Sequence, residues 1–261
     1  MNILSANIQV MIIATLIGAI TGSFYACAAY RYINGLSLLN PKRSFCPECG
    51  YQLKWYDNIP VVSYILLKGK CRNCHEKISM FYPAVELISI LWALALMHKF
   101  GPGYQFIVYM VLGGIMITAA AIDMKTFILP DMLTIPGAVI AVATMIFMPG
   151  GNWREVLWGA AIGSGLFMTL RLLYRGLKGE DGLGLGDVKL MFMIGAMSGP
   201  QNLPLVITVA AGSGIIGGLI QLKFFPDDEN SRNMVPFGPF LVLGSMLATL
   251  YSEAFWLFYL R

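Results

Sequence analysis

The sequence predicts an all-α polytopic membrane protein, with about eight transmembrane helices and a small cytoplasmic, cysteine-bearing module after the first of them. Three observations carry this. Of the residues, 57% are hydrophobic and only 12% charged, with a mean hydropathy of +0.68, whereas a soluble domain carries about a quarter charged residues. Apolar runs of about 16 to 22 residues, the length that crosses a hydrocarbon core, recur along the chain. Lys and Arg also concentrate in alternate connections, as cytoplasmic loops require. The net charge of +4 is too small and too unevenly placed for a nucleic-acid partner, so the lipid bilayer is the expected environment.

The first span covers about residues 7–30. It is too long for a signal-peptide core and lacks a positive n-region and a clear cleavage site, so it is expected to remain as a helix. Cys27, inside it, reads as a small packing residue. A polar, basic segment follows to about residue 82, and further spans are expected at about 84–98, 104–122, 130–148, 156–174, 188–199, 203–222 and 237–258. The span at 188–199 is short and reads as a half-helix sheltered by its neighbours. The organisation is therefore 1–30, first transmembrane helix; 31–82, cytoplasmic Cys-rich module; 83–261, membrane-embedded domain.

Eight spans with both termini outside put Arg31, Lys42, Arg43, Lys54, Lys68, Lys70, Arg72, Lys77, Lys125, Arg171, Arg175, Lys178, Lys189, Lys223 and Arg232 on the cytoplasmic face, and only Lys99, Arg154 and Arg261 on the other. The 15 to 3 division fixes the expected orientation. It also brings two carboxylates to one face. Asp123 ends the third span, where the helix dipole disfavours an anion, so an ionisable group there points to function. Asp187 begins the sixth, after Gly182-Leu183-Gly184-Leu185-Gly186. Glycines at 184 and 186 allow close backbone approach or a positive φ, so an extended peptide has room beside them, with Lys189 close behind. Asp131, after Pro130, competes for the first position, but capping and dipole complementarity explain an acid at a helix start.

Two aspartates at a partly dry site share one proton, because like charges held close do not both ionise cheaply. One then acts as base toward water while the other acts as acid toward a peptide carbonyl, and the pair titrates as a unit. The alternatives are thin. His75 and His98 fall on opposite sides of the membrane, which disfavours a Ser-His-Asp triad, and no HExxH occurs. A proton-coupled transporter also uses intramembrane carboxylates, but no inverted repeat is evident.

Cys46-Pro47-Glu48-Cys49 and Cys71-Arg72-Asn73-Cys74 form two CxxC knuckles, 21 residues apart. This resembles a four-thiolate Zn²⁺ site, slightly beyond the usual gap of roughly 15 to 20. A structural zinc would hold a segment with too little apolar sequence for a core of its own. His75, adjacent to Cys74, reads as a bystander.

Together these motifs resemble the type IV prepilin peptidase family, bifunctional leader peptidases and N-methyltransferases of the GxGD aspartyl class. The resemblance is carried by Gly22-Ser23-Phe24 with Tyr30-Arg31; by Ser44 to Gly50, Trp55 to Pro60, Ser63, Gly69-Lys70-Cys71, Cys74, Ile78-Ser79, Tyr82-Pro83 and Glu86; by Asp123 with Leu129-Pro130-Asp131; by Gly184-Leu185-Gly186-Asp187; and by Phe237-Gly238-Pro239-Phe240. Ala26 stands where the family usually has Asn. The resemblance implies a catalytic pair of Asp123 and Asp187 and prepilin or pseudopilin substrates in type IV pilus assembly or type II secretion. It implies cleavage after a Gly at the cytoplasmic end of the substrate's hydrophobic segment, then methylation of the new N-terminus from S-adenosylmethionine, at the bacterial inner membrane. A GxGD peptidase for other membrane peptides is the alternative. The methyl-donor site has no Gly-rich signature; the polar sequence between Arg31 and Tyr82 is the expected location, with Asn58, Gly69 and Glu86 as candidates.

Overall fold

The computed structural model describes residues 3–40, 43–179, 182–224 and 235–259. Lys42, Arg232 and Arg261 of the charge pattern lie outside the described residues. The described chain is helical, without a strand: α1 (Ile3–Ile33), α2 (Val62–Leu66), α3 (Phe81–Phe100), α4 (Tyr104–Thr126), α5 (Asp131–Ile146), α6 (Trp153–Lys178), α7 (Leu185–Ser198), α8 (Leu203–Phe224) and α9 (Gly238–Tyr259). Each expected apolar run is a helix. Most extend a few residues beyond the apolar stretch, because a helix needs backbone pairing rather than hydrophobicity to continue into the polar boundary. Six helices, α1, α3, α4, α6, α8 and α9, are long and apolar enough to cross a membrane. α5, with 16 residues, and α7, with 14, are shorter. The polar segment holds two features not expected from the sequence, a 3-10 turn at Trp55–Asn58 and the short α2.

Two compact units divide the chain, Met1–Ala121 and Ile122–Arg261. In the first, α1 packs along α3 through a stripe of small residues at every fourth position, Ala14, Gly18, Gly22 and Ala26. A Cβ at Gly18 would lie 2.7 Å from Ile90 Cα, and one at Gly22 would lie 2.8 Å from Ser89 Cβ. Small residues let helix backbones approach closely where lipid supplies no hydrophobic driving force. Ala26, almost fully buried, extends this stripe, so the residue that departs from the family pattern has a packing role here. The Trp92 indole donates to the Tyr109 carbonyl at 3.1 Å and covers Gly113, joining α3 to α4.

In the second unit α7 is central and mostly buried, packed against α5, α6 and α9. Gly159 of α6 and Gly195 of α7 face each other so closely that a Cβ on either would overlap the other's carbonyl. α8 and α9 pack likewise, Gly244 lying against the Val206 backbone.

Candidate active site and metal centre

α4 ends one turn beyond Asp123. Phe127 takes a positive φ of 55° and donates its N–H to the Asp123 carbonyl at 2.8 Å, and Pro130 then starts α5. Asp123, 4% exposed, is buried at this corner. The unfavourable end of its own helix is offset by another: the Gly238 N–H, at the first residue of α9, donates to Asp123 Oδ2 at 3.0 Å. A helix N-terminus has unpaired N–H groups and partial positive charge, and so accommodates an anion. A Cβ at Gly238 would come within 2.7 Å of that same oxygen and 3.1 Å of Leu129 Cδ2. The sequence alone gives Phe237-Gly238-Pro239-Phe240 no part in the site. A Gly-Pro at a helix start marks a sharply turned end that another group approaches, but it does not say which.

Asp187 enters from the opposite kind of position, the first turn of α7, with Gly184 as N-cap. It is 9% exposed, and its Oδ1 is buried without a hydrogen-bond partner. The glycines before it serve close packing, since neither Gly184 nor Gly186 is among the positive-φ residues. A Cβ at Gly184 would stand 3.0 Å from Asp187 Oδ2, and one at Gly186 would stand 2.7 Å from Leu129 Cβ. Gly182 lies against the Tyr174 ring, and Arg171 of α6 holds the turn through the Leu183 carbonyl at 2.8 Å. Room expected for a visiting peptide beside Gly186 is thus taken by Leu129, which locks the α4–α5 corner onto the start of α7.

The two carboxylates come together around one residue: Gly186, next to Asp187, packs on Leu129 Cβ, and Gly238, bonded to Asp123, packs on Leu129 Cδ2. Asp131 is different: it is exposed at the start of α5, and its Oδ1 accepts from Lys189 Nζ at 2.6 Å. The geometry therefore gathers Asp123 and Asp187 at one buried point and leaves Asp131 in a surface ion pair with Lys189. A buried, incompletely bonded carboxylate beside a second one is the arrangement in which a single proton is held between them.

The four knuckle cysteines converge. Their Sγ atoms lie within 4.8 Å of one another, with Cys46 and Cys74 3.9 Å apart. Zn–S bonds of about 2.3 Å in a tetrahedron put sulfurs about 3.8 Å apart, so the set fits a four-thiolate ion. Local structure explains the fit. The Gly50 N–H donates to the Cys46 carbonyl at 2.9 Å and the His75 N–H to the Cys71 carbonyl at 3.0 Å. Each turn is closed by Cys46 N–H to Tyr51 O and Cys71 N–H to Glu76 O. His75, with φ of 61°, occupies the place that Gly50, with φ of 69°, occupies in the first knuckle. It is a turn residue outside the sulfur cluster. Donors from the Tyr51 backbone and the Asn73 side chain hold the Cys49 thiol down at about 7, whereas burial and the neighbouring cysteines push the Cys74 thiol up to about 12.

Around this cluster, buried Asp57 accepts from Arg72 Nε at 2.7 Å, tying the 3-10 turn to the second knuckle. Glu86 Oε2 accepts from the Val61 N–H at 2.7 Å and holds that residue at a φ of 61°, rare for a β-branched side chain. Gly69 completes a Schellman closure of α2, its N–H bonded to the Tyr64 carbonyl at 2.8 Å while Lys68 N–H reaches Ile65 O at 3.0 Å. Its φ of 68°, and a Tyr64 hydroxyl that would lie 2.9 Å from any Cβ added there, give this glycine a local structural reason. Asn58 is exposed.

Comparison with known proteins places the chain in a family. Residues 16–100 match the bacterial peptidase A24 N-terminal domain, and residues 110–220 match the type IV leader peptidase family. The chain is 34% identical over 220 residues to a prepilin leader peptidase/N-methyltransferase of Burkholderia pseudomallei (strain 1026b), covering 82% of this chain and 69% of that one. It is 35% identical over 224 residues to one of Myxococcus xanthus (strain DK1622), covering 83% and 66%, and 28% identical over 265 residues to one of Pseudomonas putida, covering 92% and 90%. No solved structure matches the chain.

Proposed function

Because this chain belongs to the type IV leader peptidase family, we propose that Asp123 and Asp187 are the pair with which it cuts. Its activity is the one its relatives' name states, removal of the leader peptide from type IV prepilins and N-methylation of the residue so exposed. Membership sets aside the transporter alternative. The observation that supports the assignment of residues is the convergence of two buried carboxylates, one on the α9 N-terminus and one with an unpartnered oxygen.

In the reaction, the carboxylates hold one proton between them. The ionised one takes a proton from water as its oxygen attacks the scissile carbonyl carbon, and the protonated one donates to the carbonyl oxygen. Collapse of the diol breaks the C–N bond, the proton passes to the leaving nitrogen, and the pair returns to its shared state. The Gly238 N–H steadies Asp123 when it is ionised, and Gly184 and Gly186 let Asp187 and Leu129 close onto the turn, with Lys189 just behind it. S-adenosylmethionine, when bound, would supply the methyl group for the amine so freed and leave as S-adenosylhomocysteine. We place the donor near Asn58, Gly69 and Glu86, in the module at 31–82. Cys46, Cys49, Cys71 and Cys74 would hold a structural Zn²⁺ there, which supplies cross-linking of the two knuckles and no step of either reaction.

The protein is a bacterial inner-membrane protein with at least six apolar helices of spanning length. We further propose that α5 and α7 are also membrane-embedded, giving eight, with both termini outside and the aspartates on the cytoplasmic side, where 83–261 receives prepilins or pseudopilins. Incubating the purified full chain with a prepilin and labelled methyl donor, read by mass spectrometry, tests the reading: leader loss and one added methyl group are expected, and an uncut prepilin would overturn it.

A further inference from the structure

α2, five residues long, is too short to hold its shape alone and is fastened by two bonds to the start of α3. The Val61 N–H, at its N-cap, donates to Glu86 Oε2 at 2.7 Å, and the Tyr64 hydroxyl donates to Met80 Sδ at 2.9 Å. Val61 is also the centre of a three-residue turn, the Val62 N–H reaching Pro60 O at 2.6 Å with Val61 at φ 61° and ψ −46°, a strained and rare conformation. These bonds set a depth. α3 has 20 residues, a rise of about 30 Å, which is the thickness of the hydrocarbon core, so its first turns lie at the bilayer boundary. Tyr30, near the end of α1, and Tyr82, in the first turn of α3, are in ring contact at 5.9 Å, at the level where aromatic side chains collect in a membrane interface. Met80 stands just before that turn and Glu86 one turn farther in. All these residues belong to the first compact unit.

The side that α2 turns away from α3 is apolar. Val62, Ile65 and Leu66, spaced i, i+3 and i+4 and so on one face, are 48%, 66% and 76% exposed. Trp55, in the 3-10 turn that packs against α2, is exposed as well. Lys68 and Lys70, both exposed, follow at once, and no acidic residue occurs from Asn58 to His75. We propose that this face rests on the bilayer surface from which α3 emerges, with the aliphatic side chains among the ends of the acyl chains and the two lysines on anionic headgroups. Depth argues for lipid over a soluble partner, because a helix tied to the second turn of a spanning helix has the interface beside it. Charge agrees: an aliphatic face flanked by lysines is what an interfacial helix presents, and each lysine near an anionic surface adds attraction. The lipid contact would hold the cysteine knuckles close to the membrane, and it does not depend on the roles of Asp123 and Asp187.

The test places a fluorescent non-canonical amino acid at position 65 of the full chain, in nanodiscs of phosphatidylcholine alone or mixed with phosphatidylglycerol. Two quenchers are compared, bromine on the lipid acyl chains and iodide in the water. At position 65 the brominated lipid is expected to quench strongly and iodide weakly. The same label at Glu48, an exposed acid of the first knuckle, is expected to show the reverse. In the mixed nanodiscs, Lys68→Gln combined with Lys70→Gln is expected to lower the ratio of lipid to iodide quenching at position 65 about tenfold or more, the combined attraction of two lysines. Omitting phosphatidylglycerol should lower it for the wild-type lysines in the same way. Iodide quenching at 65 equal to that at 48, or protection from both quenchers, as cover by the rest of the chain or by a second copy would give, overturns the lipid contact. A ratio that ignores both the lysines and phosphatidylglycerol overturns the anionic headgroup as the partner.

Discussion

The Gly238 N–H donates to Asp123 Oδ2 across 3.0 Å, linking residues 115 positions apart in the sequence. This bond sets the carboxylate at the end of α4 against the start of α9 and gives the otherwise misplaced anion its compensation. A hydrogen bond to a charged group contributes about 1.5–3 kcal/mol, and here it also fixes orientation. Gly238→Ala forces the Asp123 oxygen away, since its Cβ would intrude at 2.7 Å. Cleavage is expected to fall by about tenfold or more, as catalytic misplacement does, with circular dichroism unchanged. An unchanged rate would show that the contact is packing only.

Removing either carboxylate is the sharper intervention. Asp123→Asn and Asp187→Asn are each expected to lower the cleavage rate by about 10³-fold or more, since each abolishes the proton-sharing pair. Asp131→Asn breaks a surface ion pair with Lys189 worth at most about 1 kcal/mol and should retain most activity. Rates from purified variants of equal monodispersity decide this, and a dead Asp131→Asn with an active Asp123→Asn would reverse the assignment.

Much of this site is legible in the sequence. Asp123 stands out because nothing local excuses a carboxylate at a helix C-terminus, whereas Pro130 and a helix start do excuse Asp131; the buried and exposed positions of the two follow that reasoning. The knuckle cysteines are readable because CxxC spacing fixes a turn. The glycines before Asp187 are readable only halfway. Their spacing shows that something approaches them, but that it is Leu129 and the aspartate itself depends on tertiary packing. Gly238 is hidden for the same reason, its partner lying in another helix. α2 escapes a sequence reading because five residues are too few to show a helical period, and its end is set by the Lys68–Gly69 closure instead.

The metal has its own test. Elemental analysis should find about one zinc per chain, and Cys46→Ser or Cys71→Ser should release it and expose residues 31–82 to protease. Thiolate ligands compete with protons, so occupancy should fall as pH is lowered. Full zinc retention after loss of one cysteine would argue against a four-thiolate site.

Packing in the second unit predicts a contrast between two glycines. Gly195→Ala drives a Cβ into the Gly159 carbonyl and should cost about 1–3 kcal/mol, as overpacking does, lowering the midpoint of thermal unfolding in detergent. Gly165 on α6 has nothing within 4 Å of an added Cβ, and Gly165→Ala should be neutral or stabilising by up to about 1 kcal/mol. Equal midpoints for the two variants would mean that the α6–α7 contact is looser than described.

The last expectation concerns the division of labour between module and aspartates. Hydrolysis needs the Asp123–Asp187 pair, a water and an approach for the scissile segment. Methyl transfer needs a donor site and a free amine. Gly69 is a poor probe of the second reaction, because its φ of 68° and the nearby Tyr64 hydroxyl make any side chain there a folding defect first. Asn58 is exposed, so Asn58→Ala removes a polar group with little risk to the fold; it is expected to leave cleavage within about twofold and to lower methylation by about tenfold or more, the effect of one lost ligand hydrogen bond. Asp187→Asn should yield neither product from an intact prepilin, since no amine is freed, yet should methylate a pilin supplied already cut. Mass spectrometry separates the uncut, cut and methylated species in one experiment. If Asp187→Asn fails on the pre-cut substrate while remaining folded and zinc-loaded, the two reactions share one site, and the donor belongs beside the aspartates.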